Sequence, residues 1–380
     1  MRAMRPAIAI CGLSALLICG CGGGNMATTT PPPACTPASP SPFAYVLSGY
    51  PADVISVFTV DSCTGVLTPT TTVATGLEPE DMVVAPNGKF AYVANLVSNA
   101  SDLATISMYT IDPATGDLTP TTPPTVPTGF YPQGIGIDPS TKFVYTANSD
   151  DNTISMFTIN PTTGLLTPTT PPSVPSGMSP LSVTVHPSGK FAYATNQDDG
   201  TVSMYTINPT TGVLTPMTPP TVPAGGSPFE VTIDPSGKFA YVPDAYGNNS
   251  VSEYTIDPVT GVLTPSPEIA VIAGGSPVSV AVDPSGKFAY VVNRMDDTMS
   301  MYTIDPNGGD LIPNSPATIS AGSQPWRDIV DPSGKLVYVV DENDAMVSIF
   351  TINSNGTLNA MGTATTGFSP FAVAVTGSSQ

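Results

Sequence analysis

The sequence predicts an all-β protein folded as a seven-bladed β-propeller, and three observations predict it. Only 10% of the 380 residues are charged, whereas Pro (44) and Gly (34) are abundant, as in β proteins with many turns. A segment similar to KFAY recurs at intervals of 53, 48, 48, 49 and 48 residues. The chain also enters and leaves the repeat at different strands, which favours closure of a ring.

Seven copies of this unit are present, and about 48 residues is the length of a four-stranded propeller blade. An early copy, near Phe43, lacks the lysine that begins the KFAY-like segment of the other six. The six lysines are Lys89, Lys142, Lys190, Lys238, Lys287 and Lys335.

Each copy predicts four antiparallel strands, named A to D from the centre of the ring outward. Around Lys190, strand A (LSVTVHP) and strand B (KFAYATN) are joined by a Pro-Ser-Gly turn, strand C is TVSMYTIN, and strand D begins with GVLTP. A Pro-rich segment leads to the next blade, and prolines suit an outer edge strand because a missing N–H is tolerated there.

Ring closure is predicted from the two ends of the propeller, residues 43–380. The chain enters at a strand B, Phe43 to Leu47, and finishes with an additional strand A, PFAVAV, from Pro370 to Val375. Seven complete blades therefore require the last strand A to join the first strands B, C and D. An open array would leave both edges unpaired.

Residues 1–21 are predicted to be a lipoprotein signal peptide. Two arginines precede an apolar segment that is too short to span a membrane as a stable helix. The following Ile-Cys-Gly-Cys resembles a bacterial lipobox, which implies that Cys21 is lipidated, although Cys19 is unusual in that motif. Secretion after cleavage nearby is the alternative.

Residues 22–42 are rich in Pro, Thr and Ser and are predicted to be a tether between a membrane and the propeller. We therefore expect the protein in the cell envelope, periplasmic or on the outer surface, with the membrane as a partner through its lipid. The net charge of -19 argues against nucleic acid as a partner.

The alternating strands place the A–B and C–D turns on one face of the ring, here the turn face, and the B–C loops and D–A connections on the other, the loop face. All six lysines fall on the turn face. We expect a functional site at the channel mouth on the loop face, where loops of many blades converge. Acidic residues collect on that face, with Arg294 and Arg327 as its strong bases: Asp150, Asp151, Asp198, Asp199, Asp244, Asp296, Asp297, Asp341, Glu342 and Asp344.

Alignment of the copies separates turn residues from site residues. His186, the one histidine, stands where four other copies carry Asp, so we expect a turn residue rather than a catalytic base. The column two positions after the proline that opens strand A holds Asp81, Gly134, Ser182, Glu230, Ser279, Arg327 and Ala372. From this column and its neighbour Asp328 we expect Asp81, Glu230, Arg327 and Asp328 to line the mouth and contact a ligand, with Arg294 nearby. The alternative is a salt-bridged ring that only balances charges.

Repeats of the form SPxxVxVDPSGKFAYVxNxxDxTVSMYTIDPxTGxLTP resemble the YVTN-type repeats of lactonase-family propellers, which include 6-phosphogluconolactonase, over residues 43–376. The resemblance implies a Pro-Arg-His segment at the start of a strand A and a Glu in the next B–C loop. In the closest segment, Trp326 stands in the arginine position, Arg327 in the histidine position and Glu342 in that of the Glu. Glu342 or Glu230 could act as the base and Arg327 could stabilise the oxyanion, but the family's own arrangement is broken.

Metal and disulfide chemistry receive less support. One histidine argues against a His-based zinc site or a Ser-His-Asp triad, and no metal or cofactor is expected. The Asp-rich loops could attract calcium, but one short loop offers too few ligands. Outside the cytoplasm, Cys35 and Cys63 are expected to form a disulfide between the tether and the first blade, with free thiols as the alternative.

Two functions follow. The first is a binding or interaction module that recognises a small molecule, glycan or protein through the acidic loop face. The second is a lactone hydrolase that acts on an uncharged lactone outside the cytoplasm, since a phosphorylated sugar lactone is a cytosolic anion that a negative mouth would repel. Predicted location and charge favour the first.

Overall fold

The computed structural model describes residues 42–96, 104–267 and 270–376, which form 29 strands in seven antiparallel sheets. The seven-bladed propeller with four-stranded blades is confirmed. The chain divides into Met1–Thr36, outside the described residues, and Pro37–Gln380, which contains the propeller. The predicted signal peptide, Cys21 and the tether up to residue 41 also lie outside the description and stay predictions. No helix in the described part is suited to crossing a membrane.

The four strands of each blade follow one another along the chain, except in the blade that closes the ring. The innermost strands A are β4 (Pro79–Val84), β8 (Pro132–Ile137), β12 (Pro180–Val185), β16 (Thr232–Ile233), β21 (Pro277–Val282), β25 (Pro325–Val330) and β29 (Pro370–Val375). The strands B are β1 (Phe43–Ser48), β5 (Phe90–Asn95), β9 (Phe143–Asn148), β13 (Phe191–Asn196), β17 (Phe239–Asp244), β22 (Phe288–Asn293) and β26 (Leu336–Asp341).

The two outer positions of each blade are occupied by strands C and D. The strands C are β2 (Val54–Val60), β6 (Thr105–Ile111), β10 (Thr153–Ile159), β14 (Thr201–Ile207), β18 (Ser250–Ile256), β23 (Thr298–Ile304) and β27 (Met346–Ile352). The strands D are β3 (Leu67–Ala74), β7 (Leu118–Pro127), β11 (Leu166–Pro175), β15 (Leu214–Pro223), β19 (Leu263–Pro265) with β20 (Val271–Ile272), β24 (Leu311–Ser320) and β28 (Leu358–Thr365).

The hydrophobic core lies between adjacent blades. Strands B are buried along almost their whole length because both faces of a blade pack against neighbours, which explains why segments such as FAYV are apolar on both faces. Strands D are largely exposed and carry the Thr and Pro residues, as expected of an outer edge. Apolar clusters accordingly combine residues from two blades, as β1 and β2 do with β4 to β6.

One hydrogen bond repeats between every pair of neighbouring blades. The hydroxyl of a strand B tyrosine donates to the carbonyl of the glycine in the C–D turn of the next blade, over 2.6 to 3.2 Å. Gly212 shows why glycine is needed, since its φ is +73° and a Cβ atom there would lie 2.3 Å from the Phe143 ring. The pairs are Tyr45–Gly116, Tyr92–Gly164, Tyr145–Gly212, Tyr193–Gly261, Tyr241–Gly309, Tyr290–Gly356 and Tyr338–Gly65.

Replacing Tyr193 by Phe is expected to lower the free energy of unfolding by about 1 kcal/mol, because it leaves the buried Gly261 carbonyl without its donor. Denaturant unfolding measures this loss. The control is Tyr50→Phe, since Tyr50 is 74% exposed and its replacement should change nothing. Equal effects of the two substitutions would contradict a role for the hydroxyl.

The ring closes as predicted. Strand β29 pairs antiparallel with β1, from Ala44 opposite Val375 to Ser48 opposite Pro370. Beyond the Ala44–Val375 pair, the N–H of Thr376 donates to the carbonyl of Phe43, and the N–H of Phe43 donates to Thr376 Oγ1, each over 2.9 Å. The first and last described segments of the propeller are therefore held in one sheet.

Candidate functional site

The innermost strands have one edge that faces the central channel and pairs with no further strand in the described part of the chain. Polar side chains accept hydrogen bonds from some of the backbone N–H groups of these strands. Asp81 Oδ2 accepts the N–H of Ile135 on the next blade over 3.1 Å. The same relation recurs further round the ring, where Glu230 Oε1 accepts the N–H of Val280 over 3.0 Å. Because an unpaired buried N–H is costly, part of this column serves the structure of the ring.

Arg327 lies across the channel. It belongs to β25, whose neighbours around the ring are β21 and β29, yet its guanidinium reaches beyond both. Nη1 donates to Asp81 Oδ1 on β4, and Nη2 lies 3.7 Å from Glu230 Oε2, just before β16. One guanidinium thus links three blades and places a positive charge near the channel axis.

Arg327 keeps its charge despite burial, whereas the pKa of Asp81 beside it is raised. Burial raises the pKa of Asp81, and Arg327 together with the N–H groups of Ile135 and Met82 opposes that rise. Burial alone would lower the pKa of Arg327, but Asp81 and Glu230 outweigh it, so its pKa is raised. The guanidinium stays charged at any working pH.

Asp328 is a second buried carboxyl beside Arg327. It is 7% exposed, its Oδ1 accepts the Ser279 hydroxyl over 2.8 Å, and its Oδ2 has no partner among the described residues. Burial raises the pKa of Asp328 to about 8, although the Ser279 hydrogen bond opposes the rise. Asp328 is therefore mostly protonated at neutral pH. The group formed by Arg327, Asp81, Glu230 and Asp328 then carries one negative charge fewer than its composition suggests.

A cavity of about 190 Å³ extends from Arg327 and Asp328 toward the turn face, where Pro187 and Pro235 line it. Its walls are largely valine and isoleucine side chains of the inner strands. Strands β8 and β12 approach closely on one side, because Gly136 has no Cβ, which would lie 2.2 Å from the Val183 carbonyl oxygen.

The channel mouth on the loop face is formed by the residues that directly follow the proline at the start of each strand A. Trp326 packs edge-on against Phe229 and Phe371, with ring centroids 5.2 and 6.1 Å apart. Arg294 lies over the Trp326 ring, with Cζ 4.2 Å from its centroid, and Arg294 Nη2 forms an ion pair of 2.8 Å with Glu342 Oε2. The residues of this column are Glu80, Gln133, Leu181, Phe229, Val278, Trp326 and Phe371.

Glu80 is the acidic member of the mouth column, and it is half-buried. Burial raises the pKa of Glu80 to about 7, and the charges of Asp81 and Glu78 add to the rise, while Arg327 opposes it. Its protonation state therefore changes near neutral pH.

The predicted site residues fall into two clusters. Arg327, Asp81, Glu230 and Asp328 meet inside the ring, whereas Arg294 and Glu342 pair at the mouth beside Trp326. Catalytic and ligand-binding roles for them stay predictions. Glu80 and Ser279 were missed as site residues. For Glu80, a signal was present, since it is the acid of its column and directly precedes Asp81.

His186 is held in the A–B turn on the turn face. Its Nδ1 accepts the N–H of Ser188 over 3.0 Å, and Nε2 lies 2.8 Å from the Gly237 carbonyl oxygen, to which it donates. In four of the other copies an Asp takes this place; Asp234 Oδ1 accepts two turn N–H groups. With both ring nitrogens engaged, the side chain fulfils the expectation of a turn residue.

Several carboxylates of the acidic loop face are engaged within the fold. Asp151, Asp199 and Asp344 each accept a backbone N–H from a D–A connection, over 2.7 to 2.8 Å. Within residues 42–96, 104–267 and 270–376, no group of three or more His, Cys, Asp or Glu side chains could hold a metal ion. Cys63 is disulfide-bonded, and its predicted partner Cys35 lies outside the described residues, so that pairing stays a prediction.

Comparison with known families decides where this propeller belongs. The family described as "Lactonase, 7-bladed beta-propeller" matches residues 38–131, 105–179, 121–227, 169–282, 216–321 and 272–375. Together these overlapping matches cover almost the whole ring. The chain belongs to this family. The resemblance seen in the repeats is thereby confirmed, while no curated protein matches the chain.

Solved structures share the fold of this lactonase-family propeller. A putative 6-phosphogluconolactonase from Bacteroides uniformis is 20% identical, with a TM-score of 0.77 over 88% of this chain and 99% of that one. The periplasmic gluconolactonase of Pseudomonas aeruginosa is 19% identical, with a TM-score of 0.74 over 88% and 99%. A Kuenenia stuttgartiensis hydrazine synthase, 20% identical, reaches a TM-score of 0.59 over 82% and 95%. These similarities show the fold, which also occurs in proteins named for other chemistry.

Proposed function

We propose that the chain is a hydrolase that opens an uncharged lactone at the loop-face mouth of the channel. The observation that carries the proposal is the Arg327 guanidinium, held among carboxyl groups next to the mouth in a member of the lactonase family. Family membership favours this alternative over the binding module that location and charge had favoured. The engagement of loop-face carboxylates by backbone N–H groups also weakens the binding reading.

The residues at the mouth match what lactone opening requires. Water adds to the carbonyl carbon, the ring C–O bond breaks, and a hydroxy acid results. A carboxylate that takes a proton from the water accelerates the addition, and a cation near the carbonyl oxygen stabilises the negative charge that develops there. Carboxyl groups adjoin Arg327 and Arg294 in this region.

Charge supports an uncharged substrate. Asp81 and Glu230 offset Arg327, and Glu342 offsets Arg294. Neither arginine is left over for a phosphate, which is usually held by unshared, often bidentate, arginines. The predicted export signal agrees with a substrate outside the cytoplasm.

The test is hydrolysis of glucono-δ-lactone, its 6-phosphate and a simple aliphatic lactone by the full chain. We expect the uncharged lactones to be opened faster than the phosphate, and Arg327→Ala to lower kcat/KM by roughly 10²- to 10³-fold, the scale of losing an oxyanion-stabilising group. Arg327→Lys, which keeps the charge, should lose less.

Lys287→Ala, a change at an exposed site on the turn face, is the control and should retain full activity. Thermal melting of each variant separates lost chemistry from lost folding, because Arg327 also links three blades. If the wild-type chain opens none of these lactones, it is not a lactone hydrolase.

A further inference from the structure

The carboxyl groups near the mouth differ in how firmly they are engaged. Asp81 accepts Arg327 and the N–H groups of Met82 and Ile135. Asp328 is buried against Ser279, and Glu342 pairs with Arg294. Asp81 and Glu342 would each have to break an existing contact to take a proton from a water molecule. Asp328 already holds a proton at neutral pH, because burial raises its pKa to about 8.

Glu230 is engaged in the same way. Its Oε1 lies within hydrogen-bonding distance of the Thr232 and Ser279 hydroxyls and of the Val280 N–H, at 3.0 to 3.2 Å, and its Oε2 lies 3.7 Å from Arg327. These contacts hold the segment before β16 to its neighbouring blade. Glu230 would have to give up some of these contacts to bind and deprotonate a water molecule.

Glu80 has none of these engagements. In the part of the chain that the structure describes, its carboxyl accepts no hydrogen bond and forms no ion pair. It occupies the same strand position as Trp326 and Phe371, so it stands at the entrance, half-buried, rather than inside the ring.

The charged groups that face Glu80 come from several elements. Asp81 and Glu78 belong to its own segment, Arg327 comes from β25, and Glu342 comes from the loop after β26. The charge of Glu80 also contributes to the raised pKa of Tyr131, which lies just before β8. The adjoining strand β29 carries no ionisable side chain. Glu80 is thus a carboxyl without a partner, within electrostatic reach of the Arg327 guanidinium.

We propose that Glu80 is the general base of the lactone hydrolysis proposed above. Its carboxylate removes a proton from the attacking water as the water oxygen bonds to the carbonyl carbon. When the ring C–O bond breaks, the protonated Glu80 returns that proton to the departing ring oxygen. One water is consumed and the carboxylate is regenerated.

Two features make Glu80 suited to this role. Half-burial limits competing solvent while the mouth position leaves the carboxyl accessible. Its pKa is raised to about 7, and a base whose pKa lies near the working pH combines an adequate ionised fraction with proton affinity.

The test is the pH–rate profile of Glu80→Gln in the full chain, after subtraction of uncatalysed hydrolysis. In the wild type, kcat should rise with pH through about 7 and level off above, because only ionised Glu80 is active. In Glu80→Gln we expect kcat to fall roughly 10²- to 10⁴-fold with little change in KM, and the limb near pH 7 to disappear.

Glu78→Gln is the matched control, since Glu78 lies two residues away and raises the pKa of Glu80 by its charge. This variant should keep the plateau kcat and move the limb to lower pH. The proposal would be overturned if Glu80→Gln retained turnover, or if its pH–rate profile still rose near pH 7 as in the wild type. Either result would leave the lactonase activity itself intact. Absence of turnover in the wild type would reject both proposals, so the two failures are distinguishable.

Discussion

A chain that ends at Ser369 is expected to lose the stability of the whole propeller and not merely of one blade. The deletion removes β29, in which Ala372, Val373, Ala374 and Val375 are each at most 3% exposed. Loss of this apolar burial alone corresponds to roughly 5 kcal/mol or more, comparable with the total stability of many domains. The deletion also leaves the edge of β1 unpaired and opens the ring.

Thermal and denaturant unfolding of the truncated chain, followed by circular dichroism, measure this effect. The matched control ends at Thr376, which keeps β29 and the two hydrogen bonds between Thr376 and Phe43. It should unfold like the full chain. An unchanged midpoint for the shorter chain would show that ring closure contributes little, and would leave the blades as independently stable units.

Closure could be predicted from the sequence because it depends on local patterns. Each repeat specifies its own strands through the Pro-Ser-Gly turn and the alternation around segments such as KFAY, and an incomplete copy at each end leaves one way to pair all edges. The tyrosine-to-glycine hydrogen bond between blades follows the same repeat, although its donor and acceptor lie 66 to 72 residues apart except where the ring closes.

The site could be predicted only in part, because its contacts cross the ring. Column alignment singled out Asp81, Glu230 and Arg327, and the structure brings their side chains together inside the ring, since the same strand position points to the same place in every blade. It could not show that Arg327 and Asp81, 246 residues apart, are joined across a neighbouring blade. Nor could it show that Asp151 is engaged by a backbone N–H, because main-chain partners carry no sequence signal.

The isosteric replacement Asp328→Asn is expected to stabilise the protein at alkaline pH. Burial raises the pKa of Asp328 to about 8 in the folded chain, whereas an unfolded chain titrates near the ordinary value of 3.8. Between these values the unfolded chain releases a proton that the folded chain keeps. The contribution of Asp328 to stability is therefore fully present below about pH 4, is lost as pH rises toward 8, and is constant above that.

The loss amounts to about 1.4 kcal/mol for each pH unit within this window. Asparagine, which resembles the protonated acid, has no such dependence, so the stability difference between variant and wild type should grow from pH 5 to 8 and then level off. Denaturant unfolding at a series of pH values measures it, and a difference that stays constant would show that Asp328 is ionised in the folded chain.

The matched control is Asp341→Asn, because Asp341 is also buried but its pKa is raised only to about 6. Its carboxyl accepts the Ser348 hydroxyl over 2.6 Å and the Gly322 N–H over 3.1 Å, away from the Arg327 cluster. The difference between this variant and the wild type should therefore stop growing about two pH units earlier, near pH 6. If the two stability differences level off at these separate pH values, the pH dependence of stability above about pH 6 is due to Asp328. The carboxyl group beside Arg327 is then neutral in the folded chain at neutral pH.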